Sequence, residues 1–205
     1  MIGGADLVFG KPFPSVHAIV FDKKTNDNTG QKIITEPGTI SYKYLDVMIK
    51  TGQIDGNFQN GYFIHIPIIN KQKSRADFSK AKNVNAKIFY YDENGESLGD
   101  KNGYVGRWKK LRQPYGYSYD GIAGIDIPAG EEGILDIAVQ PAGQSVWLAW
   151  NNQNYIAIDY SENKIGKEKF IFNVKINGEN IYPKEVSFTV CRDKNGELIL
   201  TPATK

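Results

Sequence analysis

Apolar and polar side chains alternate along most of this chain, and this period of two is the feature that most limits its fold. Four segments show it clearly, at residues 84–90, 135–139, 170–176 and 186–190. Successive side chains of a β-strand point to opposite faces, so such alternation places one face in a core and the other toward water. The sequence therefore predicts an all-β protein.

Further strands and turns extend this pattern over the chain. We predict strands at residues 16–22, 39–50, 62–69, 103–108, 122–127, 145–150, 155–160 and 197–200, and at most one turn of helix within 74–83. Pro67 lacks a backbone N–H, which indicates an edge strand or a bulge at that point. Four Asn-Gly pairs favour turns with positive φ, at residues 94–95, 102–103, 177–178 and 195–196. Many short strands with frequent turns predict an antiparallel β-sandwich.

The length of 205 residues suits one large domain better than two very small ones. We expect an N-terminal tail at residues 1–14 and a single β-sandwich domain at 15–203. The 15–58 part has the least defined boundary, because its polar stretch at 23–31 indicates a long loop.

Charge and cysteine content exclude some classes of partner and compartment. The net charge of +2, from 25 basic and 23 acidic residues, is too balanced to indicate nucleic acid. The chain has no apolar run of the roughly 18 residues that a membrane span needs, and its start does not resemble a signal peptide. Its single cysteine, Cys191, is expected to be a buried, inert thiol. Together these features slightly favour a cytoplasmic protein, with a soluble fragment of an anchored protein as the alternative.

No sequence motif for catalysis, a metal or a cofactor is present. The two histidines, His17 and His65, lie in predicted strands without the spacing of a metal site, and we expect both to pack or face the surface. No G-x-S-x-G turn occurs to present a nucleophilic serine, and no glycine-rich phosphate loop occurs either. We therefore expect no cofactor, no metal and no enzymatic activity.

One pair of carboxylates offers an alternative to that expectation. Asp126 and Asp136 flank a turn at residues 128–133 and would face each other across a hairpin. Glycoside hydrolysis needs two carboxyl groups about 5–9 Å apart in a cleft. The simpler interpretation is that both are solvent-exposed charges, so that replacing either with asparagine changes stability at most.

An aromatic region supplies the best candidate for a binding surface. Tyrosine and tryptophan spaced by glycine and serine present rigid rings that suit sugars or proteins. The candidate ligand-binding residues are Arg107, Trp108, Tyr115, Tyr117, Tyr119, Asn151 and Asn152. The competing interpretation is that Trp108 and Trp147 fill the core of the sandwich while the tyrosines pack a long connection.

Several strand-and-turn motifs within residues 62–201 carry a family resemblance. They are Ile-Pro-Ile-Ile-Asn at 66–70, Asn-Val-Asn-Ala-Lys-Ile at 83–88, Asp-Glu-Asn-Gly at 92–95, Gly-Arg-Trp at 106–108, Ile-Asp-Ile-Pro at 125–128, Leu-Asp-Ile-Ala at 135–138, Asn-Asn at 151–152 and Phe-Asn-Val-Lys-Ile-Asn-Gly at 172–178, with Phe188 closing the pattern. This stretch resembles an uncharacterised prokaryotic Ig-like β-sandwich domain family. The resemblance implies an immunoglobulin-like fold and no known reaction.

These observations favour a non-catalytic binding or protein-interaction module whose partner is a protein or a carbohydrate. Two alternatives stay open. One is a carboxylate-dependent glycoside hydrolase or a carbohydrate-binding domain, and the other is a purely structural spacer. A cleft with converging carboxylates would favour the first, and an exposed aromatic surface would favour binding.

Overall fold

A computed structural model describes residues 5–22, 56–72, 79–109, 124–141, 146–149, 164–166 and 168–203, with backbone alone for 16–22, 56–61 and 141. Within these ranges every regular element is a β-strand, which confirms the all-β class. The strands expected at 39–50 and 155–160 lie outside them.

Two antiparallel sheets are built from the strands β1 (Leu7–Phe9), β2 (Phe13–Asp22), β3 (Gly56–Asn70), β4 (Ala81–Tyr91), β5 (Ser97–Leu98), β6 (Tyr104–Val105), β7 (Arg107–Trp108), β8 (Ile125–Ile127), β9 (Glu132–Pro141), β10 (Trp147–Ala149), β11 (Lys164–Gly166), β12 (Phe170–Asn177), β13 (Lys184–Arg192) and β14 (Leu198–Pro202). Among the described residues, the first sheet has the order β1-β3-β9-β10-β11, with β2 paired to β3 and β7 paired to β9. The second sheet has the order β14-β13-β12-β4-β5, with β6 and β8 also paired to β4. Strand β1 falls within the expected N-terminal tail.

The apolar faces of the two sheets meet in one core, as the alternation predicts. On β4 and β12 every second side chain is buried, and the partners across these strands keep apolar residues opposite each other. The core also contains the indole rings of Trp108 and Trp147, which are both fully buried. Removing this apolar surface from water is the main force that holds the sheets together.

Pro67 lies in a central strand rather than at an edge, and the reason is local. Strand β3 pairs with β9 along one side, and along the other it pairs first with β2 and then with β1. The carbonyl of Pro67 accepts a hydrogen bond from Gly10 N at 2.8 Å, in the break between those two strands. In a strand, N and C=O of one residue point to the same side, so the missing N–H faces this break and no ladder bond is lost.

Three of the predicted Asn-Gly turns have the expected conformation. Gly95, Gly103 and Gly196 have φ of 83°, 77° and 82°. Gly178 does not share it. A Cβ added there would lie 2.7 Å from the carbonyl oxygen of Lys82, so this glycine allows close backbone approach instead.

The chain crosses from the second sheet to the first at Gly106. Gly106 N donates to Ala86 O of β4, while the next two residues already pair with β9. A Cβ on Gly106 would lie 2.7 Å from Leu135 Cδ1, so only glycine fits this crossing. The alternation that follows places Trp108 in the core and Arg107 on the outer face of the first sheet.

A buried tyrosine links the two sheets directly. The hydroxyl of Tyr90, on β4, donates to the carbonyl of Ile137, on β9, at 2.6 Å. Burial raises the pKa of Tyr90 well above its ordinary value of 10.0, and the neighbouring Tyr104 raises it further. The neutral phenol is therefore the form that the folded protein prefers.

This shift predicts a specific loss of stability in alkali. The pKa of Tyr90 is higher in the folded than in the unfolded chain. The stability that the neutral Tyr90 contributes is therefore complete below the pKa of the unfolded chain, and it is lost as pH rises through the pKa of the folded chain. Tyr90→Phe should lower stability by about 1–3 kcal/mol near neutral pH, since the Ile137 carbonyl loses its donor. When the pH is raised into the alkaline range, this variant should then lose less stability than the wild type. Urea unfolding near neutral pH and in alkali measures the stability of the wild type, of Tyr90→Phe and of the control Tyr182→Phe, whose ring is exposed. An equal loss of stability in alkali in all three proteins would contradict the prediction.

Candidate functional site

The outer face of the first sheet carries a buried histidine. Ile64 and Ile66 of β3 belong to the core between the sheets, so alternation turns Phe63 and His65 to the opposite face. Both are nevertheless fully buried. The imidazole of His65 stacks on Phe63, with ring centroids 6.2 Å apart, and lies 5.3 Å from the ring of Phe13.

A β-bulge brings an aspartate opposite this histidine. Ile64 pairs with Ala138, but the next residue, His65, pairs with Asp136, so Ile137 is the extra residue of β9. A bulge of this kind redirects the side chains beside it. Here it places Asp136, and not Ile137, opposite His65, so that Ile137 stays in the core and Asp136 lies on the outer face beside His65.

Four side chains form a continuous hydrogen-bonded series, which we call the polar chain. Ser15 Oγ lies 2.6 Å from His65 Nε2, and His65 Nδ1 lies 2.8 Å from Asp136 Oδ1. The second carboxylate oxygen of Asp136 accepts a hydrogen bond from Arg107. His65, Asp136 and Arg107 are at most 1% exposed, whereas Ser15 is half-buried.

The direction of these hydrogen bonds follows from the charges. An aspartate ionised beside Arg107 can only accept, so His65 must donate through Nδ1. In the neutral imidazole Nε2 then carries no proton and accepts from the hydroxyl of Ser15. With a neutral imidazole, the polar chain therefore has one direction of donation, from the Ser15 hydroxyl to His65 and from His65 to Asp136.

Sequence reasoning did not find this arrangement. The histidine was expected to be a packed strand residue, and that is where it lies, but Asp136 is fully buried instead of solvent-exposed. Its carboxylate can be buried because His65, which the bulge places opposite it, and Arg107 donate the hydrogen bonds that water would otherwise donate. Residues 15, 65, 107 and 136 belong to four strands, and their spacing along the sequence does not indicate that they lie together.

Asp126 has a separate environment. It is exposed on β8 of the second sheet, where it accepts hydrogen bonds from Asn83 N at 3.0 Å and from Lys80 Nζ at 3.1 Å. The bond from the Asn83 backbone, followed by that from Lys80, holds the pKa of Asp126 below its usual value. Asp136 lies on the other sheet and binds different partners, so this geometry does not favour a glycosidase pair.

A groove lies at one end of the sandwich, and we call it the end groove. Its volume is about 500 Å³, and its wall includes Pro14, Ser15, Tyr62, Arg192 and Leu198. The first three of these residues belong to the first sheet and the last two to the second. The groove therefore opens where the two sheets meet.

Tyr62 and Arg192 lie against each other in this wall. Tyr62 is 44% exposed, and the guanidinium of Arg192 lies over its ring, 5.3 Å from the centroid. Arg192 also donates to Gly196 O at 2.6 Å and to the side chain of Gln140. These bonds fix the guanidinium before any ligand arrives.

The hairpin between β13 and β14 is held by its first aspartate. Asp193 Oδ1 accepts from the backbone N–H groups of Asn195 and Glu197, both at 2.8 Å. The positive φ of Gly196 completes the turn. This side of the end groove is therefore a closed hydrogen-bonded loop in which the chain is already ordered.

Of the candidate residues chosen from the sequence, two are in the described ranges. Arg107 and Trp108 are each 1% exposed, the first in the polar chain and the second in the core. Cys191 is half-buried on β13, not fully buried as expected. The other candidates lie outside the described residues: Tyr115, Tyr117, Tyr119, Asn151 and Asn152.

The described part of the chain contains no group of three or more His, Cys, Asp or Glu side chains placed to hold a metal ion. No helix there is long and apolar enough to cross a membrane. No family model, curated protein or solved structure matches the chain.

Proposed function

We propose that this protein is a binding or protein-interaction module that takes its ligand in the end groove. The observation that carries the proposal is the exposed Tyr62 ring with Arg192 fixed across it. Ligand sites are concave, mostly apolar and largely formed before binding, with a few polar groups that fix orientation. Tyrosine and arginine are also the residues most enriched where binding energy concentrates.

The chemistry of the wall indicates which ligands fit. The ring of Tyr62, with Pro14 and Leu198, offers apolar contact, while Glu197 and Asn195 offer polar groups. An aromatic face beside a guanidinium suits a peptide with a carboxylate, and it suits a sugar ring that stacks and donates hydroxyls. The proposed ligand is therefore a protein segment or a carbohydrate, as the sequence indicated.

The finer fold assignment is part of the same proposal. Two antiparallel sheets around a tryptophan-containing core agree with an immunoglobulin-like sandwich. The crossing at Gly106, where one run of chain pairs with both sheets in turn, supports it as well. The usual disulfide between sheets is replaced by apolar packing, since Cys191 is the only cysteine.

The test is binding to peptide and glycan arrays, with purified wild-type chain and two tyrosine variants. Tyr62→Ala should weaken binding to the retained ligands by about 2 kcal/mol, or roughly 30-fold, the scale of an aromatic hot spot. Tyr182→Ala removes a ring that is 83% exposed and lies outside the groove, and it should leave binding unchanged.

Thermal unfolding of the same three proteins provides the control. Tyr62 is well exposed, so its loss should change the melting temperature little. If the two substitutions weaken binding equally, or if both variants bind the ligands like the wild type, the ligand does not bind in the end groove.

A further inference from the structure

We propose that Ser15 is a nucleophilic serine, with His65 as its general base and Asp136 orienting the imidazole, and that it accepts acyl groups from esters. The sequence did not predict this reactivity, because the chain has no G-x-S-x-G turn. The inference goes beyond the proposed binding function, since it assigns chemistry to a hydroxyl on the outer face of the first sheet, beside His65.

The geometry is that of an activated nucleophile. A serine hydroxyl is a weak nucleophile until a base within about 2.6–3.2 Å takes its proton, and the base in turn needs a third group that fixes its tautomer. Ser15 Oγ is 2.6 Å from His65 Nε2, and Asp136 accepts from His65 Nδ1 at 2.8 Å. The basic nitrogen therefore faces the serine.

Arg107 acts on this series as a positioning residue. Its guanidinium donates to the far oxygen of Asp136, which fixes the plane of that carboxylate. Phe63 stacks on the imidazole with an angle of 6° between the rings, so His65 is also fixed from one side. An arrangement that depends on a distance of about 3 Å needs this degree of support.

Exposure differs along the polar chain in the way that catalysis requires. Ser15 pairs with Phe63 of β3, so its hydroxyl lies beside His65 on the outer face of the first sheet. The three groups behind the hydroxyl are buried, whereas Ser15 is half-buried. The series therefore runs from a buried guanidinium to a side chain that is partly open to solvent.

The reaction balances with water as the second reactant. Ser15 Oγ forms a bond to the acyl carbon of the ester as its proton passes to His65 Nε2, and the C–O bond to the alcohol breaks as that proton leaves with the alcohol. Water then gives its proton to His65 and attacks the acyl carbon. The Ser15 ester bond breaks and Ser15 regains the proton from His65.

A fluorophosphonate probe tests the nucleophile without knowledge of the natural ester. Attack by Ser15 forms an O–P bond and releases fluoride, so intact mass spectrometry of the folded full chain should show one adduct, which peptide mapping places on Ser15. Ser15→Ala should abolish the adduct, and Ser97→Ala, which removes an exposed serine on β5, should leave it unchanged. His65→Gln should slow labelling by about 100-fold or more.

Three results would overturn the proposal, and none bears on the array experiment. They are a folded wild-type chain that forms no adduct, an adduct that survives Ser15→Ala, and a folded His65→Gln variant that labels at the wild-type rate. If His65→Gln does not fold, the wild-type and Ser15→Ala proteins still decide the matter. Loss of array binding with labelling intact would remove the groove ligand and leave the nucleophile.

Discussion

Replacing Asp136 with asparagine is expected to lower the free energy of unfolding by about 3–5 kcal/mol, the scale for breaking a buried ion pair from one side. Asp136 is fully buried and accepts from both His65 and Arg107. Its loss removes a negative charge that is in direct contact with the buried guanidinium of Arg107. Asparagine keeps the shape but presents an amide in place of a second charged oxygen.

A double-mutant cycle gives this prediction its sharpest form. Arg107→Met removes the cation and keeps much of the apolar stem, and it should also be strongly destabilising alone, because Asp136 then lacks its cation. The double variant buries neither charge, so its loss should be clearly smaller than the sum of the two single losses. Chemical denaturation measures all four proteins, with Asp126→Asn as the exposed control, expected to change stability little. Additive losses would show that the two residues do not act as a pair.

Trp108→Ala is expected to be as damaging, by about 3–5 kcal/mol, through loss of packing. The indole is buried between the sheets, and a Cβ added at Gly133 would lie 3.1 Å from its Cζ3 atom, so the ring fits closely against β9. For a chain of this size the expected change is a fall in melting temperature of roughly 6–20 °C.

This result also separates two roles for Trp108, which the sequence suggested as a ligand contact and, alternatively, as core. The buried position predicts loss of stability, with binding unchanged in the fraction that remains folded. Calorimetry with Tyr182→Ala as control measures the first, and array binding measures the second. A variant that melts like the wild type would contradict the core position.

Much of the fold could be predicted because it depends on local rules. Along β12, and from Val84 to Tyr90 of β4, every second residue is apolar and buried, so the core face of each can be identified from residue types alone. The positive φ of Gly196 was similarly clear from its Asn-Gly pair. Pro67 was harder, because the break between β1 and β2 that accommodates it depends on strands distant in sequence.

The candidate site was beyond such rules for a physical reason. Strict alternation along β9 would place Asp136 on the face opposite Leu135, Ile137 and Val139, which is why it was interpreted as exposed. The sequence did not show that this outer face is buried, or that one bulge aligns Asp136 with His65. Nor did it show that Arg107 crosses to the same sheet. Convergence of four strands is a property of the tertiary structure.

The polar chain is tested most directly by a long-range ¹H–¹⁵N spectrum of the histidine side chains in the folded protein near neutral pH. The chain has only two histidines, so a His17→Gln variant assigns the signals of His65. The structure predicts a proton on Nδ1, donated to Asp136, and a bare Nε2 whose resonance moves in Ser15→Ala as the hydroxyl is lost. A proton on Nε2 of a neutral ring, or an Nε2 signal that Ser15→Ala leaves in place, would contradict the hydrogen-bonded series of Ser15, His65 and Asp136.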